Sequence, residues 1–385
     1  METVTRNVKT LNPFRPGIGL FPSCLAGRVA VLNIFSSRLY STITGSPRNI
    51  LVCGNKRMGK TCLLIKMEEI SFTKKLLTVS TITSPERLKS FVENIAVRLY
   101  AEVKAQGMIE NGECEKLLIR LQTLPFDVHI TEFELMFTEF LLTIWKNIDS
   151  LIPAIFISID DIDLVDNATK ALLFIHNVTQ NLYRKNCPVI FAASCSADFY
   201  ERIKQKHPKL TDRYEPIEVT KLLPSSLENA IRVPLWELEI PYDEAVVKEI
   251  ARLSGGFPFY LQHLAHYVFE EMQTEIDTLA LRRGYEKAMR YLKRDIFAPL
   301  EQDIPFNEKT ILVAIYEEGL ISFSDILKRV RLPRGSVASS LRRLKEKQMI
   351  QQDKKRYRIY DKLFGEYIQK KIKEEKGEEK RNGLL

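Results

Sequence analysis

Long apolar runs are missing from this chain. Its 385 residues contain no stretch of 18 uninterrupted apolar residues, so a membrane-spanning helix is not expected. Cysteine spacing signals are missing too. Cys24, Cys53, Cys62, Cys114, Cys187 and Cys195 are scattered without any CxxC pair, which speaks against a zinc ribbon or a disulfide framework and for reduced thiols. Of five histidines only His263 and His266 are close in sequence, so no metal signature arises. Arg6, Lys9, Arg15 and Arg28, with Pro13, Pro16 and Pro22, break up the first segment and make it a poor secretory signal. A soluble cytoplasmic protein is the expectation. Charge is nearly balanced, 57 Lys and Arg against 49 Asp and Glu, and a net +8 permits an anionic partner without demanding one. An apolar share of 45% excludes a disordered or collagen-like chain.

What is present divides the chain. Pro and Gly crowd Asn12 to Gly17, which predicts an irregular arm, and Val29, Leu32, Phe35 and Leu39 recur at helical spacing. Apolar runs at Ile50–Cys53, Leu76–Ile82, Ala154–Ile159, Val189–Ala193 and Ile217–Val219 alternate with helical patterns. Strands apolar on both faces and separated by helices predict a parallel sheet covered on both sides, hence an α/β fold. Residues 84–150 read as mostly helical, with one stripe through Phe91, Ile95, Leu99 and Val103 and a second through Leu135, Phe137, Phe140, Leu141 and Trp145. The expected domains are an arm and first helix over 1–44, an α/β domain over 45–222, a helical lid over 223–300, a third unit over 301–370 and a charged tail over 371–385.

Gly54-Asn55-Lys56-Arg57-Met58-Gly59-Lys60-Thr61 matches G-x4-G-K-[ST] in full, with an apolar strand before it and a helix after it. In such a loop the backbone N–H groups of Gly54 to Cys62 turn around phosphate oxygens at a helix N-terminus. Lys60 would reach the β- and γ-phosphates of ATP and Thr61 would hold Mg²⁺. A second buried strand ends in Asp160-Asp161, and carboxylates at a strand's carboxyl end can face a ligand. Asp160 is the expected second Mg²⁺ holder. Asp161 either orients and deprotonates the attacking water or, like Asp163, caps the next helix. Ser194, at the end of the Val189 strand, either contacts the γ-phosphate or closes an ordinary turn. Arg213 either senses the γ-phosphate, in its own chain or a neighbouring subunit, or is a solvated surface arginine. Cys53 and Cys62 bracket the loop, with packing as their default role.

The third unit reads as three helices followed by a hairpin turning at Asp353-Lys354-Lys355, the winged variant of helix-turn-helix. Its third helix would offer Ser336, Ser339, Ser340 and Arg343 to a major groove, and its wing Lys354, Lys355 and Arg356 to phosphates. Twelve Lys and Arg stand between residues 324 and 358 against Asp325, Glu346 and Asp353, a local net of +9 that exceeds that of the whole chain. Double-stranded DNA is the expected partner, with packing or protein docking as the other use of such a module.

Over residues 11–368 the chain resembles the STAND/AAA+-type P-loop ATPases of archaea and some bacteria, which are related to the origin-recognition initiators. The resemblance is carried by Asn12-Pro13-Phe14 with the following Pro-Gly, by Leu25-Ala26-Gly27-Arg28, by the paired aspartates and by Ser254-Gly255-Gly256-Phe257-Pro258. It also extends to the end of the winged helix at Tyr360-Asp361-Lys362-Leu363-Phe364. It implies that Gly27 and Arg28 lie beside the adenine, that Pro258 of the lid packs near the nucleotide, and that ATP with Mg²⁺ is the cofactor. No lid arginine of the sensor 2 kind stands near Phe257-Pro258, which implies slow turnover. The family implies one of two roles. One is an ATP-dependent switch that places a winged helix on DNA, as in replication initiation or mobile-element maintenance. The other is a signalling or defence switch whose winged helix docks on protein, with a homo-oligomer as a further partner.

Overall fold

The computed structural model describes residues 11–17, 19–109, 112–125 and 128–382, with side chains described through residue 375. Arg6, Lys9 and the final Gly383-Leu384-Leu385 lie outside these residues. The chain divides into two compact units: residues 17–220 form one, and residues 221 onward, together with the N-terminal arm, form the other.

The first unit opens with α1 (Val29–Ile43), then β1 (Asn49–Gly54), α2 (Lys60–Thr73), β2 (Leu77–Ile82), α3 (Leu88–Ala105), α4 (Glu113–Thr123) and α5 (Ile130–Ile148). There follow β3 (Ile155–Asp160), a 3-10 turn (Ile162–Leu164), α6 (Ala168–Tyr183), β4 (Val189–Cys195), α7 (Ala197–Lys206), α8 (Pro208–Thr211) and β5 (Tyr214–Val219). All five strands are parallel, in the order β2-β3-β4-β1-β5. Every residue of β1, β3 and β4 is buried, as a central strand covered by helices on both faces requires. The edge strands β2 and β5 instead alternate buried with exposed positions.

Phe91, Ile95, Leu99 and Val103 of α3 and Phe137, Phe140, Leu141 and Trp145 of α5 all enter one apolar cluster with β3 and β4. Leu135 departs from its predicted stripe and is 59% exposed, because it sits two positions before Phe137, on the opposite side of the helix. On α1, Phe35 meets Phe156 of β3 with ring centroids 5.3 Å apart, while Val29 faces solvent.

The second unit holds α9 (Pro224–Glu237), α10 (Glu244–Leu253), α11 (Pro258–Glu270) and α12 (Thr278–Tyr291), then a π-helical stretch (Leu292–Phe297) and α13 (Ala298–Gln302). It continues with α14 (Phe306–Glu318), β6 (Ile321–Ser322), α15 (Phe323–Val330), α16 (Arg334–Glu346), β7 (Ile350–Asp353), β8 (Arg356–Ile359) and α17 (Lys362–Asn382). The three short strands pair antiparallel in the order β6-β8-β7, with Lys354 and Lys355 as the two-residue turn. The charged C-terminal segment expected beyond 370 continues α17 as far as Asn382.

The arm separates from the first helix, with which the sequence reading grouped it. The Asn12 amide donates to the His266 carbonyl oxygen and to Glu270 and lies 3.0 Å from His266 Nδ1, and Phe14 is buried with its ring 6.2 Å from Phe269. One asparagine thus pins the arm to the last turns of α11.

Candidate nucleotide and nucleic-acid sites

Parallel strands place all their carboxyl ends on one edge of the sheet, and the phosphate loop follows β1 there. Gly59 adopts φ +85° as the residue before α2, a left-handed backbone that glycine takes without the Cβ penalty. α2 begins with no side-chain cap and no acidic residue in its first turn, so its N–H groups and positive dipole end are not neutralised locally. Lys56 is exposed, and Asn55, Arg57, Lys60, Thr61 and Cys62 are part-exposed. Met58 is fully buried and offers only its backbone. The Lys60 ammonium donates to the Gly54 carbonyl at 3.1 Å, folded back across the loop.

Thr61 and Asp160 meet. The Thr61 hydroxyl donates to Asp160 Oδ2 at 2.7 Å, which joins the start of α2 to the end of β3. Two hard oxygen donors side by side at the head of the phosphate loop suit Mg²⁺. Because β4 lies between β1 and β3, Ser194 stands between the loop and Asp160. Its hydroxyl donates to Asp160 Oδ1 at 2.5 Å and accepts the Asp161 N–H at 2.8 Å. Ser194 has no exposed surface, so it holds the carboxylate in place and does not reach a γ-phosphate itself.

Asp161 has φ +56° and ψ +49°, and its side chain caps nothing. Burial and the neighbouring Asp160 raise its pKa, against the opposing pull of Lys60 and Lys56. Thr83, just past β2, holds this left-handed residue from the other side. Its hydroxyl reaches the carbonyl oxygens of Asp160 (3.0 Å) and Asp161 (2.5 Å). Thr83 escaped the sequence reading, although a polar residue closing an apolar strand is the same signal that marked Asp160. Asp163 accepts the Ser196 N–H and so serves the start of α7, not the next helix it was expected to cap, whose cap is Asn167.

Gly27 has φ +70° and leads into Arg28, which is 6% exposed. The Arg28 guanidinium donates to the carbonyl oxygens of Met58 (3.1 Å) and Thr220 (2.8 Å), tying the apex of the loop to the residue after β5. Burial lowers its pKa from the ordinary arginine value. Cys62 donates to the Leu20 carbonyl at 3.4 Å, and burial raises its pKa. Cys53 lies against Cys195, with sulfurs 3.7 Å apart and both buried, so packing is its role.

Arg213 cannot serve the loop of its own chain. It precedes β5, whose first residue Tyr214 pairs with Asn49, whereas Gly54 pairs with Val219 at the far end. Five residues of strand, about 17 Å, separate the two ends. Pro258 belongs to the second unit, where it is the first residue of α11 behind the buried Phe257.

In the winged unit, α16 presents only part of the expected face, with Arg343 exposed. Ser340 is 1% exposed. Arg343 donates from Nε to Glu308 at 2.5 Å and from Nη2 to the Ser340 hydroxyl at 3.2 Å, and Glu308 has no exposed surface. Ser339 bonds back to the Ser336 carbonyl, and both are part-buried. That flank looks toward α14 because Glu308, a buried acid on α14, takes both Arg343 and Lys347. The exposed positions of α16 are Arg334, Gly335, Ala338, Arg342, Arg343, Lys345 and Glu346, of which Arg334, Ala338, Arg342 and Lys345 share one face at three- and four-residue steps. Lys354, Lys355 and Arg356 are exposed on the wing, as expected.

Among the described residues no helix is long and apolar enough to cross a membrane, and no cluster of three or more His, Cys, Asp or Glu could hold a metal ion. Comparison with curated proteins found no match. Residues 295–370 match the family described as a probable winged helix domain. Among solved structures the chain is similar to a Walker-type ATPase of Pyrococcus abyssi, with TM-score 0.65 and 13% identity over 93% of this chain and 99% of that one. It is also similar to the ORC2 protein of Aeropyrum pernix in its ADP form, with TM-score 0.55 and 12% identity over 92% and 97%. At such identities the likeness is one of fold. The chain has the fold of a P-loop ATPase with a winged helix at its C-terminal end.

Proposed function

We propose that this protein binds and slowly hydrolyses ATP, and that its nucleotide state sets the affinity of its winged helix for double-stranded DNA. The observation that carries the ATPase half is the Thr61–Asp160 pair at the head of the phosphate loop. Lys60 leaves the Gly54 carbonyl to hold β- and γ-phosphate oxygens, and the α2 N-terminus binds the rest of the phosphate chain. Thr61 and Asp160 would hold Mg²⁺, which when bound would supply positive charge to the phosphate chain. Asp161 takes the proton of the attacking water, a role suited to a carboxylate whose raised pKa makes it a stronger base than ordinary aspartate. Ser194 and Thr83 position the two aspartates.

For DNA, Arg334, Ala338, Arg342 and Lys345 replace the expected serine face of α16 as the groove-facing set, with Lys354, Lys355 and Arg356 on the backbone. One observation favours protein docking instead. Lys328 pairs with Asp325, Arg329 with Glu317 and Glu318, Arg342 with Glu346, and Arg343 and Lys347 with Glu308, so five of the twelve local cations already have a carboxylate partner. ATP turnover of wild type, Lys60→Ala and Asp161→Asn tests the ATPase half. Both variants should lose turnover while only Lys60→Ala loses nucleotide affinity; unchanged turnover in Asp161→Asn would remove its role as base.

A further inference from the structure

A second strongly basic surface lies outside the winged helix. Between residues 282 and 294, on α12 and the π-helical stretch that continues it, stand Arg282, Arg283, Lys287, Arg290, Lys293 and Arg294 against a single carboxylate, Glu286. All six cations are exposed, and three- and four-residue steps bring them to one side of the helix. Two are paired, Lys287 with Glu271 and Arg294 with Asp295. Among the described residues no carboxylate pairs with Arg282, Arg283, Arg290 or Lys293. An exposed helix that merely needs solubility usually interleaves both signs at four-residue spacing. This one concentrates one sign along about 18 Å.

The opposite side of α12 fixes that surface rigidly. A Cβ on Gly284 would lie 2.5 Å from the backbone N and Cα of Val268, so the two helices pack backbone to backbone there. Ala280, Ala288 and Met289 are buried on the same side. Phe297, closing the π-helical stretch, lies between Tyr260 (6.0 Å), Phe364 (5.6 Å) and Tyr367 (5.5 Å), which joins the end of this helix to the winged helix within one unit.

We infer that this face of α12 is a second DNA-contact surface, which takes the phosphate backbone of double-stranded DNA irrespective of sequence; the inference rests on the reading of the chain as a DNA-binding protein. The charge is complementary over a matching length, since about 18 Å of duplex carries roughly ten phosphates. Arginines dominate, and their planar forks suit phosphate oxygens. An anionic membrane surface fits less well. Interfacial helices bury an apolar face in lipid, and the apolar side of α12 is already packed against α11.

The test is the affinity of the full chain for a duplex of arbitrary sequence, measured by fluorescence anisotropy over a salt series. Wild type is compared with Arg282→Gln, Arg283→Gln, Arg290→Gln and Lys293→Gln combined, and with a separate wing variant, Lys354→Gln with Lys355→Gln. The α12 variant should bind at least about tenfold more weakly at low salt. Its plot of log affinity against log salt should be shallower by up to about 3.6, or 0.9 for each lost contact. Replacing the three arginines by lysine should restore most of the affinity, and the melting temperature should not move. If only the wing variant weakens binding, the α12 surface is refuted and the winged-helix reading stands. If only the α12 variant weakens it, the winged-helix reading falls and this one survives. No binding by wild type refutes both. Loss of binding to phosphatidylserine vesicles with unchanged DNA affinity in the α12 variant would make the surface a lipid site and overturn the proposal.

Discussion

Replacing Ser194 by alanine separates two roles that the sequence left open. In the structure its hydroxyl donates to Asp160 Oδ1 and accepts the Asp161 N–H, and the residue has no exposed surface. A hydrogen bond to a charged group contributes about 1.5–3 kcal/mol. Thr61 still holds the other carboxylate oxygen in the variant, so the lower end applies. About 1.5 kcal/mol corresponds to roughly a tenfold change in an equilibrium constant. Because Ser194 acts through Asp160, that loss should be seen in ATP affinity only when Mg²⁺ is present. Calorimetric titration of wild type and Ser194→Ala with ATP, with Mg²⁺ and with excess chelator, measures both. The account expects about tenfold weaker binding with Mg²⁺ and less than about twofold change without it. An equal loss in both conditions would mean that Ser194 touches the nucleotide directly, and the positioning argument would be wrong.

Asp161→Asn should abolish turnover and yet raise the melting temperature at neutral pH. The folded chain holds the Asp161 proton to higher pH than the unfolded chain does, so wild-type stability falls as pH rises from the ordinary aspartate range through the raised value. The variant's advantage should therefore shrink in acid, and an equal advantage at acidic and neutral pH would refute the assignment. In wild type the acid limb of kcat/KM should lie above the ordinary aspartate range. Gly284→Ala gains about 1 kcal/mol in helix propensity but overpacks against backbone atoms of α11, which costs about 1–3 kcal/mol. A net fall in melting temperature is expected, and a rise would show that the two helices are not in close contact. In thiol titration, Cys24 and Cys62 should react first; Cys53, Cys114, Cys187 and Cys195 should need denaturant, since all four are buried. Rapid labelling of all six would contradict the packing of the central strands.

The phosphate loop and Asp160 were legible because each couples a local motif to a strand whose burial shows as an unbroken apolar run. Such runs also gave the parallel sheet, since β1, β3 and β4 carry no polar face to confuse the reading. For Arg213, nearness to a strand in sequence does not say which end of that strand faces the phosphate loop of its own chain; the parallel register of β5 against β1 does. The groove-facing side of α16 misled for a different reason. Ser336, Ser339 and Ser340 give no hydrophobic contrast, and the partner that engages the still exposed Arg343 is a buried acid thirty-five positions earlier, Glu308. The two carbonyl bonds of Arg28 were equally hidden, because a contact to backbone oxygen imposes no residue type on its partner.

The central claim is that nucleotide bound at the phosphate loop governs a winged helix on DNA. It is tested most directly by DNA-binding anisotropy with ATP, ADP and no nucleotide, at two salt concentrations, on wild type and Lys60→Ala. The account predicts an affinity that falls steeply with salt, differs between ATP and ADP in wild type, and loses that difference in Lys60→Ala. DNA affinity identical in all three nucleotide states would contradict it.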